Sequence, residues 1–502
     1  MNTARTVAAG AAAALVLAGL SSPAVAGPGS NKGNPNDSKT ITKAVTAERV
    51  YRHLEAFQEI ADAHDGNRAA GTSGYEASAV YVEETLAAAG YETDRQYFTF
   101  ELFHVLKGDL TVNSPALGPM DNIVMRYSPS GTVTANLSAP SGATGCTAAD
   151  WAGFTPGTIA LISRGTCSFA AKTLNAAAAG AAGAIIYNNA AGNLNGTLGA
   201  VSSSYVPVTG ITQTAGQQLL AAMGSGGVTV TLDIQTELED VETFNVLAET
   251  TTGRADNVVM VGAHLDGVES GPAINDNGSG SAAVLETAVQ LARTNKLNNK
   301  VRFAWWGAEE HGLLGSTHYV SDLAANDEAE LGNIATYLNF DMVASPNYVI
   351  GVYDADESTY TAPVTVPAGS AETEDVFTDY FDAIGQPWVD TAFSGRSDYA
   401  PFIANGIPAS GLFTGGDGTK TAAEAAIFGG TAGLTYDPSY HTPADTIDNV
   451  NTEALGIMSK AIAHATLSLA QDTSLVNGER SAGKSGKPHP RGPIVLEGES
   501  AA

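Results

Sequence analysis

The chain has 502 residues, enough for two or three domains at roughly 150 residues each. Acidic residues outnumber basic ones 53 to 24, a net charge of −29, which excludes binding of nucleic acid through a basic face. Only 15% of residues are charged and 44% are apolar, so a disordered chain is excluded and a globular one with large cores is implied.

Residues 1–26 read as a signal peptide: Arg5 is the positive n-region, Val7 to Leu20 a short apolar run, and Ala24-Val25-Ala26 a small-x-small cleavage site. The run is too short for the ~20 residues that cross a bilayer, so a secreted, extracellular chain with no membrane attachment after cleavage is expected. Residues 27–40, rich in Gly, Asn, Pro and Ser, read as a flexible leader or propeptide remnant.

Helical spacing follows over Val45 to Ala63, through Val50, Leu54, Phe57 and Ile60. A second helix over Gly74 to Ala89 ends at Gly90, a good C-cap residue, and residues 95–103 read as a strand. Composition changes near Asp121 and reverts near Glu239. The stretch between is rich in Gly, Ala, Ser and Thr, with strands at Thr158 to Ile162 and Gly183 to Tyr187 and a helix at Ala170 to Ala179. It reads as a small inserted α+β module. Its two cysteines, Cys146 and Cys167, are expected to form a disulfide in an oxidising compartment, contributing about 3 kcal/mol; the alternative is two buried free thiols.

From Phe244 the pattern is strand–helix–strand. Strands are expected at Asn257 to Ala263, Val301 to Trp306 and Ala335 to Phe340, and helices over Ser281 to Arg293 and Thr452 to Ala470. The polar residues from Gln471 read as a disordered or processed tail.

His264 and Asp266, Glu309 and Glu310, and Asp341 each follow a predicted strand, where ligands gather in open α/β sheets. Asp276 lies in a Gly-rich turn, and His441 comes later beside Tyr440. Imidazoles and carboxylates without cysteine suit zinc or a similar metal. Two His and three carboxylates suit two metals about 3.5–4 Å apart with a bridging carboxylate. The alternative is that each is a surface or capping residue.

His264-Leu265-Asp266, Gly271 to Asp276, Trp305 to Glu310, Asn339 to Met342 and Tyr440-His441 together resemble the secreted bacterial dinuclear-zinc aminopeptidases of the family-28 metallopeptidases. The resemblance covers most of 45–103 and 243–470. It implies a three-layer zinc-exopeptidase fold, a central mixed β-sheet flanked by helices, over 41–120 and 241–470. The stretch Gly157 to Phe169, with Gly183 to Tyr187, resembles a protease-associated domain, placed at 121–240, with a tail at 471–502.

By resemblance, two Zn2+ per chain are implied: one held by His264 and Asp341, one by Glu310 and His441, with Asp276 bridging. Asp266 would orient His264 from behind. Glu309 would take a proton from the attacking water and pass it to the leaving amine, and Tyr440 would donate a hydrogen bond to the oxyanion. Arg396, in Ser394 to Phe402, would help hold the substrate near its free amine with Glu309 and Asp341; the alternative is a structural salt bridge to Asp398. Met342, Gly395, Phe413 and Tyr440 would line an apolar pocket for a large first residue such as Leu, Met or Phe. Departures are the absence of a cysteine pair around His441, and Gly456 and Lys460 where compact relatives carry a calcium site.

The implied partners are peptides with a free N-terminus, and a monomer is expected. The competing readings are a carboxypeptidase or acyl-amino-acid hydrolase on the same scaffold, and a peptide-binding relative without catalysis. The scarcity of Lys and Arg argues against the first, and the complete ligand set against the second. No Gly-x-Ser-x-Gly or His-Glu-x-x-His occurs.

Overall fold

A computed structural model describes residues 35–294 and 296–479. The predicted signal peptide and residues 480–502 of the predicted tail lie outside the described residues.

The central sheet is mixed and flanked by helices. Its middle strands, Asn299–Trp306, Arg254–His264, Ile334–Phe340 and Ala409–Phe413, run parallel in that spatial order. Beyond Ala409–Phe413 lies the antiparallel Gly351–Tyr353. On the other side Asn299–Trp306 pairs antiparallel with the end of Thr229–Glu249. The run Val258-Val259-Met260-Val261 is fully buried, as a strand covered on both faces must be. Val259, Val261 and Ala263 pack into one layer with the helices Ala47–Ala63, Gly280–Leu291 and Thr452–Gln471. Val258 and Met260 face the opposite layer, where Tyr319, Val320 and Phe402 lie. Burying side chains of this size contributes roughly 1.5–3 kcal/mol each. All parallel strands end on one rim, and His264, Trp306 and Phe340 each close a strand there.

The inserted module is tied to this body by a ribbon. Thr93–Ser114, predicted only over 95–103, pairs with Thr229–Glu249 from Thr93↔Ala248 to Ser114↔Thr229. The same two strands contribute Phe244 and Val246 to the main core and Leu110, Val112, Val230 and Leu232 to the module's. The change of composition at 239 therefore falls inside a continuous strand, Thr229–Glu249, while the change at 121 lies beyond the end of Thr93–Ser114. Within the module, Ile159–Ser163, Gly183–Tyr187 and Val208–Ile211 run parallel. The Cys146–Cys167 disulfide is present, with 5.8 Å between Cα atoms.

Two expectations at the ends are corrected. Part of the predicted flexible leader, 27–40, belongs to the helix Pro35–Ala44. There Ile41, with Val45 just beyond the helix, is buried in the main core, and Ser38 bonds His464 of Thr452–Gln471. The predicted tail, from 471, is folded as far as Glu479. Thr473 and Val476 are buried, Asn257 Nδ2 donates to Thr473 Oγ1 at 2.7 Å, and Arg254 pairs with Glu479. In both places sparse apolar anchors are hidden among polar residues. Among the described residues no helix is long and apolar enough to cross a membrane.

Candidate metal centre

Strand ends and two turns bring the predicted ligands together. His264 Nε2 lies 3.4 Å from Asp276 Oδ1 and 3.4 Å from Asp341 Oδ1. The other oxygen of Asp276 is 3.1 Å from His441 Nε2, which is 2.9 Å from Glu310 Oε2. Two three-residue groups thus share Asp276: His264, Asp276 and Asp341, and Asp276, Glu310 and His441. His264, Asp276 and Asp341 are buried, while the His441 side chain is 39% exposed.

Buried hydrogen bonds fix the turns. The Asp445 carboxylate accepts from the amides of Asn275 and Asp276, both at 2.9 Å. Asn277 Oδ1 accepts from Gly280 and Met342 amides, while its Nδ2 donates to Phe340 O at 2.9 Å. A Cβ at Gly280 would sit 2.2 Å from that carbonyl, so only glycine lets this helix start against the strand end. Arg68, fully buried, donates to the carbonyls of Pro272, Leu265 and Ala273, joining the His264 and Asp276 loops. Asp266 accepts from the amides of Glu309 and Glu310 at 3.1 and 3.3 Å. Its carboxylate oxygen is 3.9 Å from His264 Nδ1, which instead meets the Asp266 backbone carbonyl at 3.0 Å. The orienting contact to His264 is thus made by Asp266's main chain, and its side chain holds the Glu309-Glu310 turn. Positive φ at Ala308, Met342 and His441 marks constrained backbone beside three of these groups.

The donor set fits divalent cations. His264 Nε2 and Glu310 Oε1 are buried and make no hydrogen bond. Burial pushes the Glu309 carboxyl well above its ordinary value, with Asp398, Asp341 and Glu310 adding to it. Burial and then the charge of Asp276 push Glu310 up to about 7. Burial alone would push His441 down, but Asp276 and Glu310 outweigh it and hold it up at about 10. Two imidazoles among this many buried carboxylates leave an excess of negative charge, which divalent cations would offset.

Tyr440 stacks on His441, 3.8 Å between ring centroids, and its hydroxyl lies 3.3 Å from Arg396 Nη2. Arg396 pairs with Asp417 at 3.2 Å; the alternative partner, Asp398, is instead buried, its carboxyl pushed up to about 7 by that burial. Between them, Ser397 Oγ donates to Asp341 Oδ2 at 2.6 Å. Met342 and Phe413 converge on Gly416, where a Cβ would meet Met342 Sδ at 3.2 Å and Phe413 Cζ at 3.6 Å. Gly395 has φ +79° and donates its amide to Tyr399 at 2.8 Å. Sequence reasoning missed Arg68 and Asp445. Their partners are backbone atoms far along the chain, which leave no residue pattern to read.

Residues 245–466 match peptidase family M28, and residues 132–219 match the PA domain, inserted ahead of it. Leucine aminopeptidase 2 of Arthroderma otae is 43% identical over 436 residues, covering 86% of each chain. The chain belongs to peptidase family M28. An aminopeptidase of Pseudomonas aeruginosa is 44% identical over 461 residues, 88% of this chain and 84% of that one. The solved aminopeptidase of Aneurinibacillus sp. strain AM-1 superposes with a TM-score of 0.70 at 30% identity, covering 85% of this chain and 95% of that one. M28 membership with these relatives makes the chain a metalloaminopeptidase, a hydrolase.

Proposed function

We propose that this M28 member is a secreted aminopeptidase that uses two zinc ions to remove large apolar residues from peptide N-termini. The observation that carries the reading is the pair of three-residue groups sharing Asp276. His264 and Asp341 would hold one ion, Glu310 and His441 the other, and Asp276 would bridge. Ions bound there would supply the Lewis acidity for activating water and polarising the scissile carbonyl.

The chain's own groups do the rest. Glu309, buried and held above the usual carboxylate range, takes a proton from the attacking water and delivers it to the leaving amine. Tyr440, its hydroxyl beside Arg396, donates a hydrogen bond to the developing oxyanion, and Arg396 fixes that hydroxyl. The substrate's ammonium meets Glu309 and Asp341, a carboxylate surplus that would repel a C-terminal carboxylate. Its side chain lies against Met342 and Phe413, with Gly395 at the rim. Peptidase parts at 41–120 and 241–470 around a module at 121–240 are the domain division this reading uses.

Mass spectrometry of a purified digest of Leu-, Met-, Phe- and Glu-starting peptides tests it. Stepwise loss from the N-terminus, fastest for the apolar first residues, is expected. Loss from the C-terminus would replace the reading with a carboxypeptidase.

A further inference from the structure

Glu309 and Glu310 sit in a turn whose ends are held by a residue outside the metal centre. Ala308 has positive φ, the amides of Gly312 and Leu313 both donate to Glu309 O at 2.8 Å, and Leu314 donates to Ala308 O at 3.1 Å. This closes residues 308–314 into a compact loop. Asn245, wholly buried on the ribbon strand Thr229–Glu249, spans its neck. Its Oδ1 accepts from the Gly307 amide at 3.1 Å, and its Nδ2 donates to Gly315 O at 2.9 Å. Gln96 Oε1, on the paired strand, accepts from the same Nδ2 at 3.0 Å and so fixes which way the amide points. The fit is close: a Cβ on Gly315 would lie 2.2 Å from Asn245 Oδ1 and 2.4 Å from Gly307 O.

We infer that Asn245 is a positioning residue for the reaction, stapling both ends of the 307–315 loop so that Glu309 and Glu310 are presented in one place. This rests on the site reading above, but its consequences are selective. Only the group Asp276, Glu310 and His441 draws a member from the stapled loop; His264 and Asp341 stand on other strands. Loosening the staple therefore weakens one metal equivalent and leaves the other, a pattern that general destabilisation does not produce. Loss of a group that orients a ligand typically costs 10–100-fold in metal affinity.

The test is stepwise zinc competition against a chromophoric chelator, with kcat and KM on leucine p-nitroanilide, for the full chain and for Asn245→Asp and Gly315→Ala. Asn245→Asp turns a carboxylate oxygen toward Gly315 O, and Gly315→Ala breaks the staple from the loop side. The expected result is one zinc equivalent weakened about 10-fold or more with the other within about 2-fold, and kcat reduced about 10-fold with KM little changed. Gln96→Leu, which removes the acceptor behind Asn245 together with the 3.3 Å bond from Gln96 Nε2 to Asp322 Oδ2, covers the case in which the buried variants do not fold, and gives the same pattern at smaller amplitude. Folded variants with both equivalents unchanged, or both weakened alike, would overturn the inference. The zinc readout needs no turnover, so a wild-type protein inert on the substrate would count against the aminopeptidase reading and leave this test standing.

Discussion

The ring of Phe100 lies on that of His311, 4.8 Å between centroids, and so brings the ribbon of the inserted module against the residue that follows Glu310. Phe98 stacks likewise on His318, and Ala70, Phe98, Phe100 and Ala308 form a small core beneath the Glu309 turn. The ribbon is thus a buttress near its base and a tether for the module farther out.

That division makes the module separable. Joining His104 to Glu237, which face each other across the ribbon, through an Asn-Gly turn removes 105–236 and leaves the Phe98–Phe100 buttress in place. Hydrolysis of leucine p-nitroanilide should stay within about 3-fold, while selectivity among long peptides shifts by about 10-fold, consistent with burial of one or two further side chains. Equal effects on short and long substrates would remove the module from substrate selection.

Glu309→Gln should lower kcat by about 10²–10⁴-fold while both zinc equivalents still bind, because the role proposed for the group is to move a proton rather than to hold an ion. Tyr440→Phe should cost about 10²-fold with KM nearly constant. Isothermal titration with zinc beside steady-state kinetics separates the two roles; loss of zinc in Glu309→Gln would make that residue a ligand.

Stripping the metals should destabilise the fold, since the buried carboxylates around His264 then lack counter-ions. At zinc 100-fold above its dissociation constant, binding contributes about 2.7 kcal/mol per site. A thermal melt with excess chelator should therefore fall by several degrees and recover on zinc addition. A melting temperature indifferent to chelator would count against any resident cation.

Acid should loosen the contact between Pro35–Ala44 and Thr452–Gln471. Burial lowers the His464 pKa to about 4, against about 6.5 when unfolded, so the folded state binds this proton less tightly. Its contribution is complete above pH ~6.5 and is lost as pH falls through ~4, on the order of 3 kcal/mol. Urea unfolding of wild type and His464→Gln at pH 7, 5.5 and 4 measures it. The variant should lose that part of the slope; parallel slopes would reject the assignment.

Much of this was legible in sequence because the parallel strands are buried on both faces and write themselves as apolar runs. His264, the Glu309-Glu310 pair and Asp341 follow such runs directly, and Cys146 with Cys167 announces its bridge. What stayed hidden depends on partners distant in the chain. Asn245 reads as one polar residue in a strand, and its meaning lies in Gly307 and Gly315. No residue pattern marks Arg68, which is fully buried among the carbonyls of Leu265, Pro272 and Ala273. The helix over residues 35–40 and the folded stretch up to Glu479 stayed hidden because polar residues surround their few anchors, Ser38 on His464 and the buried Val476.

The most direct measurement is release of chromophore from leucine p-nitroanilide and from its N-acetylated form, with chelator and during zinc back-titration. Turnover of the free amine alone is expected, lost to chelator and restored fully only at two zinc ions per chain. Turnover of the acetylated substrate, or activity indifferent to chelator, would contradict the two-zinc aminopeptidase reading.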